Sequence, residues 1–379
     1  MENRHIVHII SSLDVGGAQR MLLRLLAGLE KKGWSNEVLS LTDSGSMKAR
    51  FEGLGVTVTT VPRSPSATYA WRLGAKLRSV TAKRPAIIQT WMYHADFVGI
   101  FLKATTHGVP IIWGIRSNAV QSSTTKWRTR IIARACASAS KWAPTRIVSC
   151  SNSAAAAHAK IGYGVGRMRT IPNGFDTDAF RPIEDPVLRR SLGLGHAPLI
   201  GMAARYHPVK DHATFFAAAR IVAAKLPNAH FVLCGTGVDD GNAALRAMIK
   251  ENGIEGRTHL MGEREGLADF FSSLDVSVLT STSEAFPNVV AESMACGTPC
   301  VATDVGDAAE IVGDPMLTAA PGDAEDIAGR LIRTLTIGEA DRAVLRRSVR
   351  DRIVRLYSLT AVVNSFEDLY TEVIAECAE

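Results

Sequence analysis

The chain has 379 residues, too many for one ordinary core, so two domains are expected. With 46% hydrophobic and 21% charged residues it has the composition of a soluble globular protein, and no stretch approaches the ~18 uninterrupted apolar residues of a membrane span. The formal net charge of +6 conceals an asymmetry: residues 1–183 carry 25 Lys and Arg against 9 Asp and Glu, whereas the remainder carries 18 against 28. Only the first half is built to meet something anionic.

The opening stretch, MENRHIVHIISSLDVGG, has too short an apolar run for a signal peptide, which points to a cytoplasmic protein. Strand-length apolar runs follow at 6–11, 37–42, 57–62, 86–91, 110–116, 146–151 and 168–172, separated by helical stretches. Their near-continuous hydrophobicity suits parallel strands covered on both faces. Gly16 and Gly17 fall in the first strand–helix turn, where missing side chains let a ligand approach the backbone. At 100° per residue, the helical stretch KWRTRIIARACASASKW places Lys126, Arg130, Arg134 and Lys141 within an arc of roughly 80°, with Trp127, Ile131, Ala135 and Trp142 on the adjoining arc. That suits a helix lying at an anionic membrane surface. The alternative is an ordinary helix whose apolar arc faces the core. A second basic stretch, WRLGAKLRSVTAKR, adds Arg72, Lys76, Arg78, Lys83 and Arg84.

RPIEDPVLRRSLGLGHAP, punctuated by Pro182, Pro186 and Pro198, reads as a linker. The pattern then restarts with strands at 199–204, 230–235, 258–262, 276–280, 299–303 and 316–320. Two doubly wound α/β domains are expected, 1–183 and 184–359, with a closing helix at 360–379 that packs back on the first. Ligands of such folds bind at the carboxyl ends of strands. The six cysteines (136, 150, 234, 296, 300 and 377) form no disulfide framework; Cys296 and Cys300 are close but lack a second ligand pair, so buried reduced thiols are expected rather than zinc.

In the second half, Arg205 follows a strand and Lys210 precedes a helix. Two cations at such a corner suit a diphosphate, with Arg forking two oxygens and Lys adding a point charge; two solvated basic residues are the alternative. GTGVDDG at 235–241 looks like a dinucleotide fingerprint, but its third glycine is one residue late. In SEAFPNVVAESMACGTP, Pro287 suits the first turn of a helix, and the loop presents amides near Ala285, Phe286, Asn288 and Val289, an anion site. Glu284 and Glu292, which accept hydrogen bonds only, can each grip a pair of hydroxyls. A helix-capping Glu and a surface Glu fit the spacing equally well.

Together GGAQR, IPNGFDTDAF, Arg205 with Lys210, and the Glu284-x7-Glu292 element within EAFPNVVAESMACGTPCVAT resemble the retaining glycosyltransferases of family 4. The resemblance covers nearly the whole chain and implies the GT-B fold, two Rossmann-like domains facing each other across a cleft. It implies that Arg205 and Lys210 hold the donor diphosphate, Glu292 the nucleotide ribose and Glu284 the hydroxyls of the transferred sugar. Backbone amides from Ala285 through Phe286, Pro287 and Asn288 to Val289 would complete the donor cradle, opposite Gly16 and Gly17. It further implies a cleft histidine touching the donor sugar, for which His94 in QTWMYHADF is the candidate with Asp96 a weaker neighbour, and a base-bordering loop containing Arg264. His94 as a capping or packed histidine and Arg264 as a solvated residue remain alternatives. Where the family often has an acidic residue after GGA, this chain has Gln19, which puts an acceptor contact there in doubt.

Neither a cofactor nor a metal is expected, because Asp176-Thr177-Asp178 lies in the inter-domain connection rather than after a donor-domain strand. The resemblance implies transfer with retention of a hexosyl-type sugar from a nucleotide-sugar to a hydroxyl acceptor, with a lipid-linked saccharide in polysaccharide biosynthesis as the expected acceptor class and the inner membrane face as the expected place of work. No nucleic-acid partner is expected. The rivals are a nucleotide-sugar 2-epimerase of the same fold, a dinucleotide-dependent oxidoreductase and a non-catalytic sugar-binding module.

Overall fold

The computed structural model describes residues 3–43, 45–62, 66–106, 108–117 and 127–378. The chain divides into two compact units, one formed by Met1–Gly174 with Leu359–Glu379 and the other by Phe175–Ser358.

The first unit holds seven strands: β1 (His5–Ile10), β2 (Ser35–Ser40), β3 (Thr57–Thr60), β4 (Ile87–Trp91), β5 (Ile111–Ile115), β6 (Arg146–Ser149) and β7 (Met168–Thr170). All pair in parallel, in the order β3-β2-β1-β4-β5-β6-β7. The second unit repeats the design with β8 (Leu199–Ala203), β9 (His230–Cys234), β10 (Thr258–Leu260), β11 (Val276–Leu279), β12 (Cys300–Thr303) and β13 (Thr318–Ala319) in the order β10-β9-β8-β11-β12-β13. Central strands such as β4 (IIQTW) and β8 (LIGMA) are buried along their whole length, as strands covered by helices on both faces must be. In each sheet the strand order reverses once, between β1 and β4 and between β8 and β11. Loops leaving neighbouring strands diverge there and open a crevice at their carboxyl ends.

The division falls at Gly174–Phe175 rather than at 183. Residues 175–183 are bonded into the second unit: the Arg350 guanidinium donates to the carbonyls of Thr177 at 3.1 Å and Phe180 at 3.0 Å, and Ile183 N–H donates to Ser272 Oγ at 3.2 Å. The last helix, Leu359–Ala378, returns to the first unit. Its Val362, Val363, Phe366, Leu369, Tyr370 and Val373 are buried in one cluster with Leu22, Leu25, Leu26, Trp34 and Trp91, each large side chain contributing about 1.5–3 kcal/mol by burial. Five cysteines are buried and Cys377 is exposed, so the expectation of buried thiols fails for the last one, which sits on the final exposed turn. Burial pushes the Cys296 and Cys300 thiols up to about 12, which makes them poor nucleophiles and poor metal ligands.

Candidate active site

In the second unit the switch point assembles most of the charged residues singled out above. Arg205 lies just beyond β8, exposed and without an ion pair among the described residues. Lys210 ends a short 3-10 turn, Pro208–Lys210, that leads into the helix His212–Lys225. Glu284 lies in the loop after the adjacent strand β11, and its carboxylate directly contacts the Lys210 ammonium. Ser281 Oγ donates to the same carboxylate oxygen at 2.8 Å.

The two loops are joined by more than this pair. Thr282 N–H donates to Val209 O at 2.8 Å, and the Thr280 hydroxyl reaches the carbonyls of Lys210 at 2.8 Å and Asp211 at 3.0 Å. From the other side the end of β12 and the loop after it hold the backbone that flanks Glu284. Thr303 Oγ1 donates to Ser281 O at 2.7 Å and Asp307 N–H to Ala285 O at 3.0 Å. Gly306 makes this possible: its φ is +60°, and a Cβ there would lie 2.5 Å from Glu284 O, so a side chain would push the loop away. Thr280, Ser281, Thr303 and Gly306 escaped the sequence reading; the signal was the hydroxyl-rich LTSTSE following an apolar strand.

The helix Asn288–Ala295 begins one residue later than expected, with Pro287 as its N-cap rather than its first helical residue, within the usual one-residue ambiguity of helix ends. Pro287 has no side-chain acceptor to cap that end. Phe286 faces inward, its ring 6.1 Å from Phe175 and 5.8 Å from Tyr357, so it braces the loop, and Val289 packs against the core cluster. Glu292 is buried one turn into this helix at 5% exposure, whereas the Glu284 side chain keeps 15%. Neither is the freely solvated surface Glu of the alternative reading.

GTGVDDG forms the loop after β9. Gly235 (φ +143°) approaches the neighbouring loop so closely that a Cβ would sit 2.2 Å from Ala204 O. The next helix, Ala243–Glu251, has its first amides capped internally, since Asn242 Oδ1 accepts from Ala244 and Leu245 and Asp239 Oδ1 from Gly241. A pyrophosphate would have to displace those carbonyl and carboxylate oxygens, so the dinucleotide reading loses its anchor. Arg264 follows β10, half-buried. Burial raises the Cys234 thiol and the Arg264 charge opposes the rise, which sets Arg264 beside the end of β9, on the far side of β8 from Glu284.

In the first unit the equivalent switch point receives the other candidates. Gly16 caps the helix Gly17–Glu30 in extended conformation (φ −166°). A Cβ on Gly16 would meet Gln19 Oε1 at 2.6 Å. Gln19 is buried and its amide donates to Ser12 O at 3.0 Å. A carboxylate could not make that bond, so Gln19 ties down the glycine loop here. His94 stands exposed in the first turn of the helix Tyr93–Thr105, and partial desolvation lowers its pKa. The joint before it is strained, because Met92 holds φ +72°, at about 1–3 kcal/mol for a non-glycine residue. Asp96 points the other way. It is fully buried, accepts from Thr90 Oγ1 at 2.5 Å, and burial pushes its pKa up to about 8, so it is a neutral core acid.

Lys126 lies outside the described residues. The helix that follows is Trp127–Ala139, so Lys141 and Trp142 fall in the turn after it rather than on its face. Its buried side is made of Ala133, Cys136, Ala137 and Ala139. Trp127, Ile131 and Trp142 are 66%, 54% and 57% exposed, and the reading in which they face the core is excluded. Arg134 and Lys141 are exposed beside them, but Arg130 is half-buried, because the small-residue face that packs on the fold extends round to it. Asp176 accepts from the N–H groups of Asp178 at 3.0 Å and Ala179 at 2.9 Å, which closes a turn.

These features define a two-unit α/β protein with a charged corner at the switch point of the second unit, and the likeness to known proteins agrees. The chain matches the description "Glycosyl transferases group 1" over residues 197–336 and "Glycosyltransferase Family 4" over residues 15–179. It is 24% identical to EpsF of Bacillus subtilis (strain 168) over 317 residues, 79% of each chain. Over 163 residues it is 31% identical to D-inositol 3-phosphate glycosyltransferase 2 of Catenulispora acidiphila, a match covering 40% of this chain and 38% of that one. Among solved structures, Anabaena HepE in complex with UDP superposes with a TM-score of 0.85 at 20% identity, covering 97% of this chain and 99% of HepE. The glycosyltransferase WaaG superposes with a TM-score of 0.70 at 16% identity, covering 97% and 99%. The chain belongs to the group 1, family 4 glycosyltransferases and has the GT-B fold.

Proposed function

We propose that this glycosyltransferase moves a hexosyl-type sugar from a nucleoside-diphosphate sugar to a hydroxyl acceptor, with retention of configuration and without a metal. The observation that carries the reading is the corner where Arg205 and Lys210, leaving β8, meet Glu284, leaving β11. It supplies two cations for a diphosphate and a hydroxyl-gripping carboxylate beside them. The donor nucleotide also has support from the relatives, since HepE is known in complex with UDP and with UDP-glucose.

The barrier to such a transfer lies in negative charge growing on the leaving phosphate and positive charge growing in the sugar ring. Arg205, Lys210 and the amides at the start of Asn288–Ala295 meet the first as preorganised electrostatics. Glu284 orients the sugar, and Glu292 holds the ribose. With the departing phosphate accepting the acceptor's proton, no enzymic nucleophile is required. The same two cations neutralise the diphosphate in place of a metal ion.

A lipid-linked acceptor at an anionic membrane surface fits the first unit. Between Glu52 and Asp176 the chain has 17 Lys and Arg and a single acid, Asp96, which is the buried, neutral one. Lys83, Arg146 and Arg169 of this stretch are offset by Glu37, Glu372 and Glu376 from outside it; the stretch also displays the indoles of Trp71, Trp127 and Trp142, side chains suited to the bilayer interface.

The test is a panel of UDP-, GDP- and ADP-sugars incubated with polyprenyl-linked and soluble acceptors in excess chelator, with product stereochemistry read by NMR. Glycoside of retained configuration is expected, and Lys210→Ala should lower turnover at least about tenfold, the loss of one charge-assisted contact. Release of a 2-epimer would move the assignment to the epimerase, and abolition by chelator with rescue by magnesium would overturn the metal-free account.

A further inference from the structure

Lys210 and Glu284 are assigned above to different parts of the donor, the diphosphate and the transferred sugar, yet they are ion partners of each other. Their side chains are only 21% and 15% exposed, so water screens the pair weakly. Ser281 strengthens it by donating to the same Glu284 oxygen at 2.8 Å. The pair cannot separate by drift of its loops, because Thr280 and Thr282 bond the loop after β11 to the carbonyls of Val209, Lys210 and Asp211. A diphosphate oxygen placed on the Lys210 ammonium therefore arrives beside a carboxylate. An ammonium has three donors, but two anions sharing it at contact distance repel each other, so the carboxylate must turn away.

We propose that Glu284 makes the site discriminate between a nucleoside diphosphate that carries a sugar and one that does not. The diphosphate displaces the Glu284 carboxylate from Lys210, and only a donor with its sugar in place offers hydroxyls to the displaced group. A spent nucleoside diphosphate disrupts the pair and returns nothing to Glu284. The carboxylate thus disfavours retention of the leaving product while favouring the intact donor. This rests on the donor reading above and adds a second role for Glu284 within it.

Calorimetry with UDP, GDP and ADP, and with the sugar donor of whichever base binds, separates the two. Glu284→Gln keeps the side chain's shape and removes its charge. It is expected to bind the free nucleoside diphosphate at least about tenfold more tightly than the parent, the effect of releasing one charge-assisted bond, while the sugar donor gains nothing or weakens. Ser281→Ala, which loosens the hold on Glu284 without removing its charge, should shift the free diphosphate in the same direction by less. Unchanged or weaker diphosphate binding by folded Glu284→Gln, where Lys210→Ala still weakens it, overturns the discrimination and leaves the donor reading standing. If none of the three diphosphates binds the parent at millimolar concentration, both fall together.

Discussion

The Thr280 hydroxyl donates to the carbonyl of Lys210 at 2.8 Å and to that of Asp211 at 3.0 Å, so a residue at the end of β11 fixes the position of a cation on the loop after β8. Asp211 is itself held at φ +50° while its carboxylate caps the next helix by accepting from Thr214 N–H at 3.2 Å. The cation is thus aimed by backbone that its own side chain does not touch.

Thr280→Val keeps the side chain's volume and removes the hydroxyl from two carbonyls, at about 1–3 kcal/mol for buried groups left unpaired. We expect a modest fall in melting temperature together with a rise in the donor KM and a drop in kcat. Steady-state kinetics beside a thermal melt would reveal a structural role alone if only the melt moved.

Stability should fall on both sides of neutrality. His8 Nε2 pairs with Asn36 Oδ1 at 3.2 Å and its Nδ1 accepts from Trp91 Nε1 at 3.3 Å, which requires the neutral ring, and burial lowers its pKa to about 4. His212 is lowered to about 4 by burial as well. A histidine depressed in the fold stabilises above its unfolded pKa, and that contribution, about 3 kcal/mol for each, is lost as pH falls from 6.5 towards 4.

Asp96 has the opposite sign. Its pKa is raised to about 8 by burial, so its contribution is complete below pH 4 and declines as pH rises towards 8. Asp96→Asn, neutral throughout, should therefore flatten the decline between pH 6.5 and 8 and steepen the loss between pH 6.5 and 4, where protonation of Asp96 partly offsets the histidines. Melting temperatures across pH 4–9 measure this, and an unchanged alkaline limb would assign that loss to another group.

The exposed Trp127, Ile131 and Trp142 beside Arg134 and Lys141 call for a vesicle experiment. Flotation should recover the protein with phosphatidylglycerol vesicles and not with phosphatidylcholine ones. Each basic residue at an anionic surface adds about 1 kcal/mol, screened by salt. Reversing both Arg134 and Lys141 to Glu should abolish recovery while sparing nucleotide binding; equal recovery with both lipids would make the patch a surface for another partner.

All thirteen strands lie within two residues of where the apolar runs put them, because a strand buried on both faces writes its position as an uninterrupted hydrophobic segment. Arg205, Lys210 and Glu284 were legible because strand ends with charged neighbours mark crevices in such sheets. Helix phase near position 130 was not. The buried face there is alanine and cysteine, so hydrophobicity alone could not decide between an outward and a core-facing position for the tryptophans, and it left Arg130 too exposed. Gln19 and Asp96 were opaque for a related reason: a polar residue's partner, Ser12 O or Thr90 Oγ1, is a fact of tertiary packing.

The last helix, Leu359–Ala378, completes a core whose other members lie before residue 175. During synthesis, then, the second unit in the sequence has all its parts before the first does. Until the final helix leaves the ribosome, Leu22, Leu25, Leu26 and Trp34 lack the partners that cover them, and the earlier-made half waits as an unsealed sheet. A nascent chain of this design presents its longest-lived apolar surface on the unit that is made earlier, and loss of Leu359–Ala378 would act as damage to Met1–Gly174.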